Sequence, residues 1–253
     1  MSRFDLNTCS EINFTGESYY PNRAVHLTEN GGPTDNGPDI FKIFSHDNLK
    51  HLIERGLETR YHEGEHFFNQ GADHDGIHLI KSGRVRSYYS SSNGREITLA
   101  YWPSGHFVGA PQILGGGIHM WSSIATEPSV GIRLPGSILR ELIRDKPDLA
   151  IDVIESLVHK SMCYTSLLQI MGTQSKICRL SHLLLTFITP VPKEENSAEI
   201  SLHFTQEELA NMIGSTRQSI SVSLDKFEKL GFIQRNGDSI KISDVRGLRN
   251  ICS

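Results

Sequence analysis

The sequence predicts an α+β fold in three successive regions, and three observations carry that prediction. Between Leu57 and Leu134, short apolar runs are cut by Gly64, Gly71, Gly76, Gly83, Gly94, Gly105 and Gly109, the mark of short strands. From about Asp148 to Met171, apolar residues recur at helical spacing. From Phe204 to Ile242, two capped helical segments separated by one glycine lead into a hairpin pattern.

Residues 1–38 read as an irregular segment, because Asn30, Gly31, Gly32, Pro33, Asn36, Gly37 and Pro38 crowd one stretch. A first unit spans 39–146. It opens on an apolar patch, Ile40, Phe41, Ile43 and Phe44. A helix over Asp47–Arg55 follows, with Leu49, Leu52 and Ile53 on one side and Gly56 at its end. The β-type segments are Gly76–Lys81, Arg84–Tyr89 and Glu96–Trp102, and Ser92-Asn93-Gly94-Arg95 is a hairpin signal. Regular short strands of this kind suggest an antiparallel barrel or sandwich. A short helix over Ile138–Arg144 ends before Pro147.

A long helix spans 147–172. Ile151, Ile154, Val158, Thr165 and Leu168 form one stripe, and Leu157, Tyr164, Leu167 and Met171 form a neighbouring one. One stripe can pack on the strands while the other pairs with a second copy of the chain in a coiled coil. A single wide core-facing stripe in a monomer is the alternative, and Ser161 and Thr165 weaken the seam.

The last unit spans 173–253. A helix carries Ile177, Leu180, Leu184 and Phe187 on one face, and a polar loop runs over Pro190–Ser197. Thr205 then reads as an N-cap, with Glu208 completing a capping box. Leu209, Met212 and Ile213 point inward, and small Ala210 lets a second helix cross closely. Gly214 stops the first helix, since the left-handed C-terminal position favours glycine. Ser215 and Gln218 read as a second capping box. In the second helix Ile220, Leu224 and Phe227 face the core, while Arg217, Gln218, Ser221, Val222 and Asp225 form the opposite face. Gly231 closes that helix. Phe232–Arg235, Asn236-Gly237 and Ser239–Ile242 make a hairpin with a type I′ turn signal. Two helices on a tight glycine turn followed by a β-wing define a winged helix-turn-helix. Its polar outer face suits the major groove of DNA. Thr205, Ser215, Thr216, Arg217, Gln218, Ser221 and Val222 are the candidate DNA contacts.

Bulk properties constrain the rest. The 253 residues are 38% hydrophobic and 21% charged, an ordinary globular composition. The net charge of −4 argues against a general nucleic-acid coat. From residue 175 onward ten Lys/Arg stand against nine Asp/Glu, so DNA binding must rest on placement. No apolar run approaches the ~20 residues of a membrane span, and no signal peptide is apparent. A cytoplasmic location is expected, and with it free thiols at Cys9, Cys163, Cys178 and Cys252. None of the four lies at metal-clip spacing from another, and nothing in the sequence motivates a redox switch. No catalytic motif appears, so the chain does not read as an enzyme.

The run Thr205-Gln-Glu-Glu-Leu-Ala-Asn-Met-Ile-Gly-Ser-Thr-Arg-Gln-Ser-Ile-Ser and the later Leu230-Gly-Phe-Ile closely resemble the Crp/Fnr family of bacterial transcription regulators. Lys81-Ser-Gly-Arg-Val-Arg, Asn93-Gly-Arg-Glu and Pro103-Ser-Gly-His-Phe-Val-Gly extend the resemblance upstream, from about Phe44 to Leu248. The resemblance implies an N-terminal β-roll (a double-stranded β-helix of the cyclic-nucleotide-binding type), a dimerisation helix and the winged helix-turn-helix. It further implies a homodimer on a pseudo-palindromic operator, a small signal bound in the roll, and activation through RNA polymerase as the commoner mode.

The departures from the family are informative. Its recognition helix carries Arg, Glu and a second Arg; the corresponding residues here are Arg217, Gln218 and Val222. Arg217 can hold a phosphate and Gln218 an adenine edge, while Val222 can only touch a thymine methyl. The family's nucleotide binders hold ribose with a Glu and phosphate with an Arg. Here Ala110 replaces the Glu, and no arginine lies between Arg95 and Arg133. Cyclic AMP is therefore not expected as effector, since a buried phosphate needs a cation. Trp102, His106, Phe107, Ala110, Ile113, Met120 and Trp121, closed by Tyr164 and Gln169 of the long helix, suit a small apolar or aromatic effector with one polar or anionic group. The same residues can equally fill the core of a regulator needing no ligand. His62/His66 and His74/His78 are spaced four apart, which aligns metal ligands on a helix but not on strands. No metal site or cofactor is expected, and a haem or redox sensor of the same fold, with His78 or His106 as axial ligand, is the alternative.

Overall fold

The computed structural model describes residues 44–188, 197–200, 204–236 and 239–252. The irregular segment expected at 1–38, the apolar residues 40–43, nearly all of the loop expected at 190–197 and the turn residue Gly237 lie outside them.

Helix α1 (His46–Arg55) is capped by Ser45, whose Oγ accepts the Asn48 N–H at 3.2 Å. Eight strands follow: β1 (Leu57–Tyr61), β2 (His66–Phe68), β3 (Ile77–Ser82), β4 (Arg84–Ser90), β5 (Glu96–Pro103), β6 (Phe107–Gly109), β7 (Ser122–Ala125) and β8 (Ser129–Leu134). They form two four-stranded antiparallel sheets, ordered β1-β8-β3-β6 and β2-β7-β4-β5. This is the expected β-roll. Phe67, Phe68, Ile80, Val85, Ala100, Trp102, Val108 and Ala125 fill it. A second cluster joins its flank, through Ile77, Leu79, Phe107 and Leu134, to α1, helix α2 (Gly136–Asp145) and the start of the long helix.

The long helix α3 runs Asp148–Thr173. Its buried face is Leu149, Val153, Ser156, Lys160, Cys163, Leu167 and Ile170, a spacing of alternating threes and fours. Ile151, Ile154, Val158 and Leu168, one of the two stripes read from the sequence, are 59%, 52%, 49% and 73% exposed. The single core-facing stripe is therefore not what the chain forms.

Helix α4 (Lys176–Thr186), strand β9 (Ala198–Ile200), helices α5 (Gln206–Ile213) and α6 (Arg217–Lys229), strands β10 (Ile233–Asn236) and β11 (Ser239–Ile242), and helix α7 (Val245–Asn250) complete the chain. β9 pairs antiparallel with β11, so the wing is three-stranded; β9 and α7 have no counterpart in the sequence reading. One core runs from Tyr101 of β5 through Leu167 and Ile170 to α4, α5, α6 and the wing. Burial of that size is the dominant stabilising term and joins the two halves. No helix among the described residues is long and apolar enough to cross a membrane.

The thiol expectation is corrected for two residues. Cys178 and Cys252 form a disulfide, whereas Cys163 is free and buried. The pair is separated by 74 residues. α7 brings the chain end back over α4, a proximity that local spacing does not reveal.

Candidate functional site

The helix-turn-helix is built from local rules. Thr205 Oγ1 accepts the Glu208 N–H at 3.2 Å, and Glu208 Oε2 accepts the Thr205 N–H at 2.7 Å, so two otherwise unsatisfied donors are paired. Gly214 takes the left-handed conformation, φ 60° and ψ 45°. A Cβ there would lie 2.0 Å from Met171 Cε. The glycine is thus required twice, by the turn and by the end of α3 pressed against it. Arg95, at the tip of the β4–β5 hairpin, donates from Nη2 to the Gly214 carbonyl at 2.6 Å. The roll therefore touches the turn that positions α6.

One cap differs from the sequence reading. Helix α6 is capped by Thr216, whose side chain accepts the Ser219 N–H at 3.2 Å; Ser215 and Gln218 form no box. Ser215 lies inside the turn, buried, with its N–H on the Ala210 carbonyl at 2.8 Å. The left-handed glycine has to be followed by one closing residue before helix resumes, which shifts the cap by one. Ser215 is consequently turned away from solvent. Thr205, Thr216, Arg217, Gln218 and Val222 are exposed and Ser221 is half-buried. Ile220, Leu224 and Phe227 lie in the core, as the spacing predicts.

The wing braces this helix. Arg235 donates from Nη2 to Asp225 Oδ1 and to Glu228 Oε2, each at 2.6 Å, and from Nε to Glu228 Oε2 at 3.1 Å. The hydrogen bonds from Arg235 hold the Glu228 carboxyl below its usual range. Two acids that would repel phosphate are thereby matched by one wing cation.

The second site lies between the roll and α3. Trp102 is fully buried and donates from Nε1 to Ser87 Oγ at 3.1 Å. His106 and Tyr164 approach it with ring centroids at 5.5 and 6.4 Å, and Trp121 reaches Tyr164 at 6.4 Å. Phe107 is buried, while Ala110 and Ile113 are half-buried. Two expected members do not join this group. Met120 is 64% exposed, because its neighbour His119 takes the inward position, stacked on Phe68 at 3.8 Å and bonded to Asp75. Gln169 lies on an exposed part of α3.

Sequence reasoning missed the charge at this site. Lys160 of α3 is 7% exposed, with Nζ 3.5 Å from the Trp102 ring centroid and 4.5 Å from that of Phe107. Among the described residues, no carboxylate lies within ion-pair distance of it. Burial pulls its ammonium down to about 7, opposed weakly by Cys163, whose thiol burial pushes up to about 11. Burial also raises the Tyr164 phenol. The signal was available: Lys160 is the one charged residue on the stripe Val153, Ser156, Lys160, Cys163, Leu167 and Ile170.

The histidines of the roll form a cluster of their own. Asp75 Oδ1 accepts from Nε2 of His78 and of His119, each at 3.0 Å, and His74 stacks on His119 at 4.1 Å. Burial raises the Asp75 carboxyl, but the hydrogen bonds and charges of His78 and His119 outweigh it and hold the group at about 2. The Nε2 of His78 is thus committed to a carboxylate.

Comparison with known proteins agrees with this layout. The cyclic nucleotide-binding domain family matches residues 58–146, and the Crp-like helix-turn-helix domain family matches 178–251. The chain is similar to an anaerobic regulatory protein of Haemophilus influenzae, 27% identical, covering 80% of this chain and 78% of that one. It is also similar to a CRP-like cAMP-activated global transcriptional regulator of Mycobacterium tuberculosis, 24% identical over 83% of this chain and 94% of that one. Among solved structures, a c-di-GMP responsive global regulator of Xanthomonas campestris superposes with a TM-score of 0.69 at 17% identity, over 78% of this chain and 99% of that one; that likeness is one of fold. With the roll, the long helix and the capped helix pair occurring in the same order as the two matched domains, the chain belongs to the Crp/Fnr family of transcription regulators.

Proposed function

We propose that the chain acts as a homodimer on a pseudo-palindromic operator, and that a small aromatic anion held between the β-roll and α3 sets its affinity for DNA. The observation that carries the effector half is Lys160. A cation stacked on Trp102 and Phe107, without a carboxylate to match it, is a chemical match for an acid bearing a flat apolar body. Burying that charge alone is costly, and an anion offsets the cost. The position of the cation favours an aromatic carboxylate over cyclic AMP: Ala110 provides no ribose acceptor, and the strand side provides no arginine between Arg95 and Arg133.

The dimer half is supported by the exposed apolar stripe of α3. Ile151, Ile154, Val158, Ser161, Thr165 and Leu168 follow the alternating three-and-four spacing of a coiled-coil seam. A second copy related by a two-fold axis would cover that stripe and place two α6 helices on successive major grooves. An effector touching both Lys160 and the roll would act on the same helix that joins the copies, biasing one dimer arrangement over another.

Calorimetry with a panel of aromatic carboxylates, aliphatic carboxylates and cyclic AMP tests the effector reading. The expected result is saturable binding of aromatic acids to the wild-type chain, none by Lys160→Met, and none of cyclic AMP by either. Tight cyclic AMP binding, or aromatic-acid binding that survives Lys160→Met, would overturn it.

A further inference from the structure

We propose that Cys178, His182 and Cys252 form a two-cysteine, one-histidine site for a zinc-class divalent cation when the cysteines are reduced, and that the disulfide is the cation-free state of the same site. The geometry points to this set without reference to the effector pocket. Cys178 and His182 stand one turn apart on one face of α4, with Cys178 Sγ 3.9 Å from His182 Nε2. Across a tetrahedral zinc, with bonds of about 2.3 Å to sulfur and 2.0–2.1 Å to nitrogen, those atoms would be about 3.5 Å apart. Cys252 arrives from the chain end with its Cα 5.1 Å from that of Cys178. The three donor atoms lie within 4.8 Å of one another.

The surroundings suit a cation. Gln174, which caps α3, places Oε1 3.1 Å from Cys178 Sγ, so an oxygen donor stands beside the three ligands. Cys178 and His182 are buried whereas Cys252 is exposed, which leaves an entry path from solvent. A disulfide alone has no use for an imidazole, whereas a borderline-soft cation uses two thiolates and an imidazole together. The placement has a consequence. The site ties the end of the chain to the first helix of the matched DNA-binding domain, at the point where α3 hands over to it.

The two states interconvert by thiol–disulfide exchange. A small-molecule disulfide accepts two electrons from the cation-bound thiolates, and its sulfur–sulfur bond breaks to give two thiolates. One sulfur–sulfur bond forms between Cys178 and Cys252, and the cation leaves. Charge and atoms balance without a further reactant.

The test uses the full chain, reduced with a phosphine and titrated with cobalt(II), whose thiolate charge-transfer and tetrahedral ligand-field bands report the ligand set. The expected result is saturation at one cobalt per chain, displacement by zinc, and loss of the bands in the oxidised chain. Cys252→Ser, at an exposed position, should abolish the thiolate band with an unchanged circular dichroism spectrum, and His182→Gln should weaken it. Cys163→Ser should bind as the wild type does. Absence of a thiolate–cobalt band in the reduced wild-type chain, or an unaltered band in Cys252→Ser, would overturn the proposal.

Discussion

The two faces of α3 each depart from those of a helix that serves only one globular core. The outward face carries Ile151, Ile154, Val158 and Leu168 in the open, while the inward face buries Ser156 and Lys160 among Leu149, Val153, Cys163, Leu167 and Ile170. A helix that merely covered the roll would bury the branched apolar residues and expose the lysine. Under the proposed function the outer face meets a second copy of the chain and the inner face an anion.

The largest expected effect comes from breaking the outer face. Val158→Asp places a charge in the middle of the seam. Sedimentation should then return the mass of a single chain, and operator affinity should fall about a thousandfold, since two linked half-site contacts become one. An unchanged dimer would show that some other surface joins the copies.

The inner face can be tested through stability. Lys160→Met keeps the apolar stem and removes the buried charge. Without ligand it should raise the unfolding free energy at pH 7 by about 1–4 kcal/mol. The pH dependence has a definite sign. The folded ammonium titrates at about 7 against an ordinary 10.5, so between these values the unfolded chain binds more protons. Wild-type stability should therefore rise with pH across that window, from a minimum contribution below pH 7 to its full value above 10.5. The rise should be absent from Lys160→Met. A variant that melts lower than wild type would instead identify Lys160 as paired.

Smaller effects distinguish frame from specificity at the DNA-binding end. Val222→Arg should change the preferred base at one half-site position by about 1–3 kcal/mol, leaving the fold intact because Val222 is 63% exposed. Thr205→Ala should cost about 1 kcal/mol of stability through its lost cap and leave the operator preference unchanged. Selected-site profiles and thermal melts separate the two.

The same contrast explains what could be read from the sequence. Thr205, Glu208 and Gly214 act on backbone groups within a few residues, so their spacing alone specifies the turn. The outer stripe of α3 was legible for the same reason. Lys160 was overlooked because its significance depends on Trp102 and Phe107, more than fifty residues upstream. Met120 falls outside the group because His119 beside it is drawn inward by Phe68 and Asp75, contacts distant in sequence. Ser215 and Thr216 are both cap-forming residues, and only the left-handed turn at Gly214 selects the second. The Cys178–Cys252 pair, like β9 on β11, depends on the chain returning to itself after a long excursion.

The central claim, sequence-specific DNA binding under the control of an anion, is tested most directly by in-vitro selection of duplexes from a random library, with and without an aromatic carboxylate. The account predicts enrichment of one pseudo-palindromic site whose recovery depends on the acid, and no enrichment with Arg217→Ala or Gln218→Ala. Recovery of no common site under either condition, or of the same site by both variants, would contradict it.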